Sequence, residues 1–258
     1  MTLLAVDAGN TDTTIGLFDA DELVAQFSVS SDERRTSDEW FLTIDAFWRR
    51  TQIAEITEIV MCCTVPALAE ALRGTFERYF DSVPVWIVGP GVKTGLAIHT
   101  DNPKEVGTDR IVNALAAKEL YGGPAIVVDL SGTATVFDVI DAQDRYLGGA
   151  IAPGVEVSLE ALASSSAQLR SVEMAIPRNV IGKNTVESIQ AGTVFGFAGL
   201  IDTLVERMGE SLGVDPDHLT VVATGNHAEV VLSECETITT RNRTLTLEGL
   251  RFVAEKNR

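Results

Sequence analysis

Two stretches of this chain, about half its length apart, share one order of apolar and polar positions. Residues 6–18 read VDAGNTDTTIGLF and residues 128–140 read VDLSGTATVFDVI. Each is an apolar run, an aspartate, a group of Gly, Thr and Ser, and a second apolar run. Enrichment in β-branched residues and in turn residues predicts a three-stranded meander at each place. The predicted strands are Leu3–Val6, Thr14–Phe18 and Leu23–Val29 in the first copy, and Ala125–Val128, Ala134–Ile140 and Arg145–Ile151 in the second.

Helical spacing of apolar residues follows each meander. It predicts helices over Asp38–Arg50, Ala67–Tyr79 and Thr185–Leu212, the last being one long or broken helix. Thr108 as an N-cap and Gly122–Gly123 as a stop predict a further helix. Short apolar runs predict strands at Glu58–Met61, Val85–Val88 and Leu219–Ala223. Residues 152–170 have a flexible composition and are either a substrate lid or a plain connection.

A meander followed by alternating helices and strands is the pattern of a ribonuclease-H-like layer. Two such layers in tandem predict an α/β chain of the actin-like, acetate and sugar kinase architecture. We place one domain over residues 1–118 and the other over residues 119–258. In that architecture a nucleotide binds in the cleft between the halves, at the turn after the first strand of each. Chance similarity between two three-stranded units is the alternative interpretation.

Composition limits the classes of function. The chain is 45% hydrophobic and 22% charged, as is typical of a soluble globular protein. We expect no membrane partner, because no apolar run approaches the roughly 20 residues that span a bilayer. The net charge of −17 argues against nucleic acid or an anionic membrane as a partner. Three cysteines without a CxxC pair favour reduced thiols and a cytoplasmic location.

The first predicted turn has the composition of a phosphate-binding turn. Gly9 allows close approach of the backbone to a ligand, and Asn10, Thr11 and Thr13 add hydrogen-bond donors. The carboxylate of Asp7 at the strand end would repel phosphates on its own. A divalent cation such as Mg²⁺ would bridge that carboxylate to the phosphates, often through water.

The second predicted turn offers the same chemistry through Asp129, Gly132 and Thr133. Either turn alone is explained as well by an ordinary hairpin, where these residue types are enriched for conformational reasons. Their occurrence as a pair favours a shared ligand. The GxxxxGK[ST] phosphate loop, the GxGxxG dinucleotide motif and the GxSxG serine nucleophile motif are absent from the sequence.

One predicted helix start carries side chains suited to an anionic, hydroxylated substrate. Asp109 and Arg110 fall in the first turn of the helix that follows Thr108. An aspartate there can orient a substrate hydroxyl and accept its proton late, which suffices for phosphoryl transfer. An arginine donates a fork of hydrogen bonds to a carboxylate or phosphate. The alternative is a surface helix whose acid only complements the helix dipole.

A second helix start lies at Asn184, with Glu187 completing a predicted capping box. The helix interior contains Gly192, Gly196 and Gly199. Because glycine destabilises a helix interior, these positions indicate close packing against another element or another chain.

Six ordered motifs give the chain a family resemblance. They are VDAGNTDT, DNPKEVGTDRIVNALAA, VVD followed by GTATVFDV, GGAIAPG, GKNTVESIQAG and LTLEGLRF. In this order, over nearly the whole chain, they resemble the type III pantothenate kinases. The resemblance implies a homodimer that transfers phosphate from ATP to the 4′-hydroxyl of pantothenate, the first step of coenzyme A biosynthesis. It also implies a divalent metal and a monovalent cation, K⁺ or NH₄⁺.

The resemblance implies a role for each matching position. The ATP-binding residues would be Asp7, Ala8, Gly9, Asn10, Thr11, Asp12, Thr13, Thr14 and Thr133. The pantothenate-binding residues would be Gly107, Thr108, Asp109, Arg110 and Thr185. Asp109 would be the catalytic proton acceptor, and Arg110 would hold the substrate carboxylate. Asp129 would coordinate the monovalent cation.

One departure from the family's pattern bears on activity. The second turn usually runs Asp-x-Gly-Thr-Ala-Thr, whereas here Ser131 is inserted before Gly132. A displacement of phosphate donors by about 1 Å can cost on the order of 10²-fold in rate. Two alternatives to an active pantothenate kinase therefore stay open. One is a catalytically impaired homologue that acts as a ligand-binding regulatory dimer, and the other is a kinase of the same fold for another hydroxylated substrate.

Overall fold

The computed structural model describes residues 1–165, 172–225 and 229–258, which form two compact units. The first unit comprises Met1–Leu96, Asn102–Glu119 and Thr244–Arg258, and the second comprises Ala97–Asp101 and Leu120–Arg243. The main division lies next to the predicted boundary, but two short segments belong to the unit on the other side of it. The assignment of two domains, 1–118 and 119–258, stays a prediction.

The described residues form strands and helices in both units. The strands are β1 (Thr2–Ala8), β2 (Asp12–Asp19), β3 (Glu22–Ser30), β4 (Glu58–Cys63), β5 (Val85–Ile87), β6 (Ala97–Ile98), β7 (Ala125–Asp129), β8 (Ala134–Ile140), β9 (Arg145–Pro153), β10 (Thr220–Thr224) and β11 (Thr240–Arg241). The helices are α1 (Ser37–Trp48), α2 (Pro66–Tyr79), α3 (Thr108–Tyr121), α4 (Val155–Ser164), α5 (Thr185–Leu212), α6 (Glu229–Leu232) and α7 (Leu245–Asn257).

The first unit is a mixed sheet covered by helices on both faces. Its strand order is β3-β2-β1-β4-β5, with β1 antiparallel to β2 and parallel to β4. One face packs against α1 and α2 through buried side chains that include Trp40, Ile44, Leu68, Leu72 and Phe76. The other face packs against α3 and α7 through Val112, Leu115, Leu250 and Val253. The central strand β1 is therefore buried on both faces.

The second unit repeats the strand order of the first. Its sheet runs β11-β10-β7-β8-β9-β6, so that β9-β8-β7-β10-β11 corresponds to β3-β2-β1-β4-β5. The strand β6 pairs in parallel with β9 and extends the sheet by one strand. The duplication predicted from the two meanders is thus confirmed in the order and direction of the strands.

Two expectations need correction. Residues 152–170 are not simply a loop, because α4 occupies Val155–Ser164, while 166–170 lie outside the described residues. The predicted N-cap Thr108 is the first residue of α3 itself. The helix α5 has the predicted limits but is long and apolar enough to span a bilayer by length and composition, with a mean hydropathy of 1.3. One of its faces nevertheless lies in the core of the second unit, through Ala198, Ile201 and Val205.

Two glycines from elsewhere in the second unit hold the turn between β7 and β8. A Cβ on Gly225 would lie 2.7 Å from the carbonyl carbon of Leu130, and a Cβ on Gly154 would overlap the carbonyl of Gly132. The backbone N–H of Gly154 also donates to the carbonyl of Thr133 at 2.9 Å. The turn that carries the inserted residue is therefore enclosed by backbone that only glycine allows.

We predict that Gly225→Ala destabilises the protein much more than Gly122→Ala. Both glycines have positive φ, +100° and +75°, but a Cβ on Gly122 would meet nothing within 4 Å. Positive φ alone costs a residue with a Cβ about 1–2 kcal/mol, and overpacking against backbone adds about 1–3 kcal/mol at Gly225. Urea unfolding of both variants measures the difference, and equal losses in the free energy of unfolding would contradict the enclosed turn.

Candidate active site

The end of β1 places a carboxylate beside a buried thiol. Parallel pairing of β1 with β4 sets Asp7 opposite Cys62. The Cys62 side chain is completely buried, and its S–H donates to Oδ1 of Asp7 at 3.2 Å. Asp7 itself is half-buried at the edge where the strand ends. The strand register therefore fixes where this carboxylate lies.

The start of α3 brings Asp109 to the same place in the first unit. Burial raises the pKa of the Cys62 thiol well above its usual value, and the neighbouring carboxylates of Asp7 and Asp109 raise it further. Two negative charges thus act on one buried group. Asp7 and Asp109, predicted from separate motifs, therefore both lie near the Cys62 thiol.

The local geometry of α3 explains how Asp109 is held. The carbonyl of Gly107 accepts the first helical hydrogen bond, from the N–H of Ile111 at 3.1 Å, so Gly107 takes the capping position. A Cβ on Gly107 would lie 2.5 Å from Oδ1 of Asp109. The carboxylate therefore folds back over this glycine. Arg110 follows it as a half-buried side chain.

Thr108 contributes a polar group without a partner. Its hydroxyl oxygen is buried and forms no hydrogen bond within the described part of the chain. A buried hydroxyl left unsatisfied costs about 1–3 kcal/mol. A bound polar ligand beside Asp109 would remove that cost.

The first turn is held by a residue that sequence reasoning missed, Ser31. Its N–H donates to the carbonyl of Thr11 at 2.8 Å, and its hydroxyl donates to the carbonyl of Gly9 at 2.7 Å. The N–H of Gly9 closes the turn by donating to the carbonyl of Asp12 at 3.0 Å. Ser31 lies just beyond β3, and only the strand pairing could have indicated its contact with this turn.

The predicted ATP-binding residues of this turn divide into two groups. Asn10 and Thr11 are exposed at its tip, whereas Ala8 and Thr13 are buried. The hydroxyl of Thr13 is hydrogen-bonded to that of Ser31 at 2.9 Å, and the hydroxyl of Thr14 to that of Ser28 at 2.9 Å. The threonines at 13 and 14 therefore support the turn, and its tip is the part that a ligand can reach.

In the second unit, the inserted Ser131 closes a small turn on Asp129. Oδ1 of Asp129 accepts hydrogen bonds from the Ser131 N–H, at 2.8 Å, and from the Ser131 hydroxyl. This is an Asx turn, in which a side-chain carboxylate replaces a backbone acceptor. Gly132 continues the chain with φ of +93°, and Thr133 follows it as an exposed residue. The inserted residue is thus accommodated within the turn itself.

The start of α5 presents Thr185 as an exposed first residue. Asn184 caps the helix as predicted, because its side chain accepts from the N–H of Glu187 at 2.9 Å. The reciprocal bond of the predicted capping box is shifted by one residue: the Glu187 carboxylate accepts from the N–H of Lys183 at 3.0 Å. The helix start is fixed by both contacts.

The carboxylates fit a metal that binds together with its substrate. Across the ranges 1–165, 172–225 and 229–258, no group of three or more His, Cys, Asp or Glu could hold a metal ion alone. Mg²⁺ in phosphate sites uses one or two carboxylates, with phosphate oxygens and water completing its shell. Asp7, with Asp109 nearby, matches that requirement. Asp129 offers the oxygen donor type that K⁺ binds.

Comparison with known proteins places the chain in one family. The type III pantothenate kinase model matches residues 3–207. A protein named type III pantothenate kinase from Thermobifida fusca is 51% identical over 257 residues, covering 99% of each chain. A protein of the same name from Streptomyces coelicolor is 51% identical over 261 residues, covering 99% of this chain and 98% of its own.

Solved structures similar to this chain share its fold at low sequence identity. Component A of (R)-2-hydroxyglutaryl-CoA dehydratase from Acidaminococcus fermentans has a TM-score of 0.58 at 14% identity, covering 98% of this chain and 96% of its own. MreB 5 of Spiroplasma citri has a TM-score of 0.54 at 11% identity, covering 99% and 97%. A ROK hexokinase from Thermus thermophilus has a TM-score of 0.51 at 13% identity, covering 98% of each.

These likenesses confirm the predicted α/β fold, which this chain shares with MreB 5 and with the ROK hexokinase. They concern the fold alone. The family follows from the sequence matches, which extend over most of the chain at about 50% identity. This chain belongs to the type III pantothenate kinase family.

Proposed function

We propose that this chain phosphorylates pantothenate with ATP, in the first step of coenzyme A biosynthesis. The observation that carries the proposal is 51% identity over 99% of the chain to a protein named type III pantothenate kinase. The location of Asp7 and Asp109 near Cys62 in the first unit supports it, because a phosphoryl transferase needs acidic groups at both the metal and the acceptor hydroxyl. The free thiols of the chain are consistent with the cytoplasmic location that we also propose.

The residues that bind the phosphate acceptor would lie at the start of α3. Asp109, held over Gly107, would accept a hydrogen bond from the pantothenate hydroxyl and take its proton late in the transfer. The transition state of phosphoryl transfer is loose, so orientation of this hydroxyl contributes more than the strength of the base. Arg110 would donate to the pantothenate carboxylate, and the buried hydroxyl of Thr108 would gain a partner from the substrate.

Each unit contributes a turn whose residues match the family's ATP-binding motifs. The exposed tip at Asn10 and Thr11 would contact the phosphates of ATP, supported from behind by Thr13 and Thr14. Asp7 would hold Mg²⁺, which when bound neutralises charge on the transferred phosphoryl group. In the second unit, Thr133 would contact ATP.

Asp129 would bind the monovalent cation, K⁺ or NH₄⁺. Its carboxylate is already oriented by Ser131. Thr185 would contact pantothenate from the start of α5. Both roles rest on the family's motifs at these positions.

The Ser131 insertion does not by itself favour a catalytically impaired homologue. An Asx turn and two enclosing glycines order the turn despite its extra residue. A regulatory dimer without turnover and a kinase for another hydroxylated substrate are the remaining alternatives, and one assay separates all three.

We expect the purified protein to release ADP from ATP, Mg²⁺ and K⁺ only when pantothenate is added. A coupled ADP assay measures this, with a panel of other hydroxylated acids and sugars as acceptors. Thermal stabilisation by ATP or pantothenate without ADP release would indicate the regulatory dimer. Turnover with another acceptor and none with pantothenate would indicate a different substrate.

Asp109→Asn should lower kcat by at least about 10²-fold, because proton acceptance by a positioned group contributes about 10²–10⁴-fold to catalysis. Thermal unfolding should stay close to that of the unsubstituted protein, since Asp109 is only half-buried. The matched control is Asp101→Asn, the same change at an exposed residue, which should leave kcat unaltered. A fully active Asp109→Asn enzyme would refute the assigned role.

We also propose that the protein is a homodimer in which α5 packs against its counterpart. The helix turns one face into its own unit, while Gly192, Gly196 and Gly199 lie on the outside, where a Cβ would meet nothing within 4 Å. Each glycine destabilises the helix by about 1 kcal/mol relative to alanine. Close packing of a second helix against these positions would explain why glycine is present despite this cost.

Exposed apolar side chains near the start of α5 support the same interface. Val180, Ile181 and Val186 are 64%, 76% and 49% exposed. A two-fold axis would bring the same apolar patch of both copies together, as in most homodimers.

Gly196→Arg should convert the dimer to a monomer while leaving the fold intact, because the side chain would project from the exposed face into the partner helix. Sedimentation equilibrium should give twice the 27.7 kDa chain mass for the unsubstituted protein and a single chain mass for the variant. Leu42→Arg, which places the same charge at an exposed apolar residue of the first unit, is the control and should stay dimeric. A dimer that tolerates Gly196→Arg would contradict this interface.

A further inference from the structure

The proposed reaction leaves one polar group of the site without a role, the thiol of Cys62. This residue lies in β4 and packs in the core of the first unit with Leu3, Ala5, Val112 and Leu115. Its neighbours therefore come from β1 on one side and from α3 on the other. These two elements carry Asp7 and Asp109.

We propose that Cys62 is a positioning residue that fixes the orientation of the Asp7 carboxylate by donating its S–H to Oδ1. The inference rests on the proposed function, because it assumes that Asp7 holds the metal of the ATP complex. The distance is 3.2 Å, and it joins a completely buried donor to a half-buried acceptor. Because the buried thiol holds Oδ1, rotation of the carboxylate about its terminal bond is restricted.

The surroundings of the thiol keep it a donor. A cysteine thiol is mostly protonated at neutral pH, because its ordinary pKa is about 8.5, and Cys62 lies completely buried among apolar side chains. A neutral donor can bind the Asp7 carboxylate without competing with a cation, whereas a charged donor there would compete with the bound metal. A buried thiol thus orders a carboxylate without adding charge to the site.

The adjacent Cys63 provides a matched control. Side chains alternate along a strand, so Cys63 points to the opposite face of the sheet. Its thiol is half-buried and donates to the backbone carbonyl of Val65 at 3.2 Å. Removing this thiol takes the same number of atoms from the same strand but leaves the hydrogen bond between Cys62 and Asp7 in place.

The test compares Cys62→Ala, Cys62→Ser and Cys63→Ala in the full-length protein. Calorimetry measures the affinity for the complex of Mg²⁺ with a non-hydrolysable ATP analogue. The ADP assay gives kcat and the KM of each substrate. Loss of a group that orients a metal ligand typically costs about 10–100-fold in metal affinity or activity. We therefore expect Cys62→Ala to weaken binding of the Mg²⁺–analogue complex by about 10-fold, with the KM for pantothenate unchanged.

The serine variant separates positioning from packing. Serine retains an O–H donor but fills the buried site less well, so Cys62→Ser should recover most of the lost affinity while its thermal stability stays reduced. Cys63→Ala should match the unsubstituted protein in affinity. If Cys62→Ala does not fold, Cys62→Val, which fills the site without a donor, takes its place.

Three results would overturn the inference: unaltered affinity in the variant without a donor, failure of a folded Cys62→Ser to recover affinity, or an equal effect in Cys63→Ala. Failure of the proposed function would be seen separately. The unsubstituted protein would then release no pantothenate-dependent ADP, while the calorimetric comparison would still report on Cys62 and Asp7.

Discussion

The parallel pairing of β1 with β4 is the constraint on which the candidate site depends. It places Asp7 directly opposite Cys62, and α3 packs over the same face of the sheet with Asp109 at its start. Side chains alternate with a period of two along a strand, so a slip of one residue would turn Asp7 to the other face. Burial of apolar residues on both faces of β1 makes that slip costly. Hydrophobic packing thereby sets the position of a carboxylate.

The second unit also orients a carboxylate at the end of a strand, but it does so through a different contact. Its strand order repeats that of the first, and Asp129 is the last residue of β7 as Asp7 is the next to last of β1. There a hydroxyl and a backbone N–H from the adjacent Ser131 take the place of a thiol from a neighbouring strand. The same fold therefore tolerates an inserted residue, provided that glycines leave room for the turn.

The sequence predicted the elements whose signals are local. The limits of α5 were predictable because Asn184 caps its start and Gly213, at φ +65°, ends it. The two-residue strands β6 and β11 are too short to show periodicity. The contact of Cys62 with Asp7 spans 55 residues, and Ser31 reaches Gly9 across 22. Such contacts depend on strand pairing, and no local pattern encodes them. The roles of the site residues stay predictions.

The position of the bound metal shows directly whether Asp7 is a metal ligand beside the acceptor hydroxyl. Crystals grown with Mn²⁺, a non-hydrolysable ATP analogue and pantothenate would locate the ion by its anomalous scattering. We predict Mn²⁺ on the Asp7 carboxylate, with Oδ1 still hydrogen-bonded to the Cys62 thiol and the pantothenate hydroxyl against Asp109. An ion bound away from Asp7, or a hydroxyl out of reach of Asp109, would contradict it.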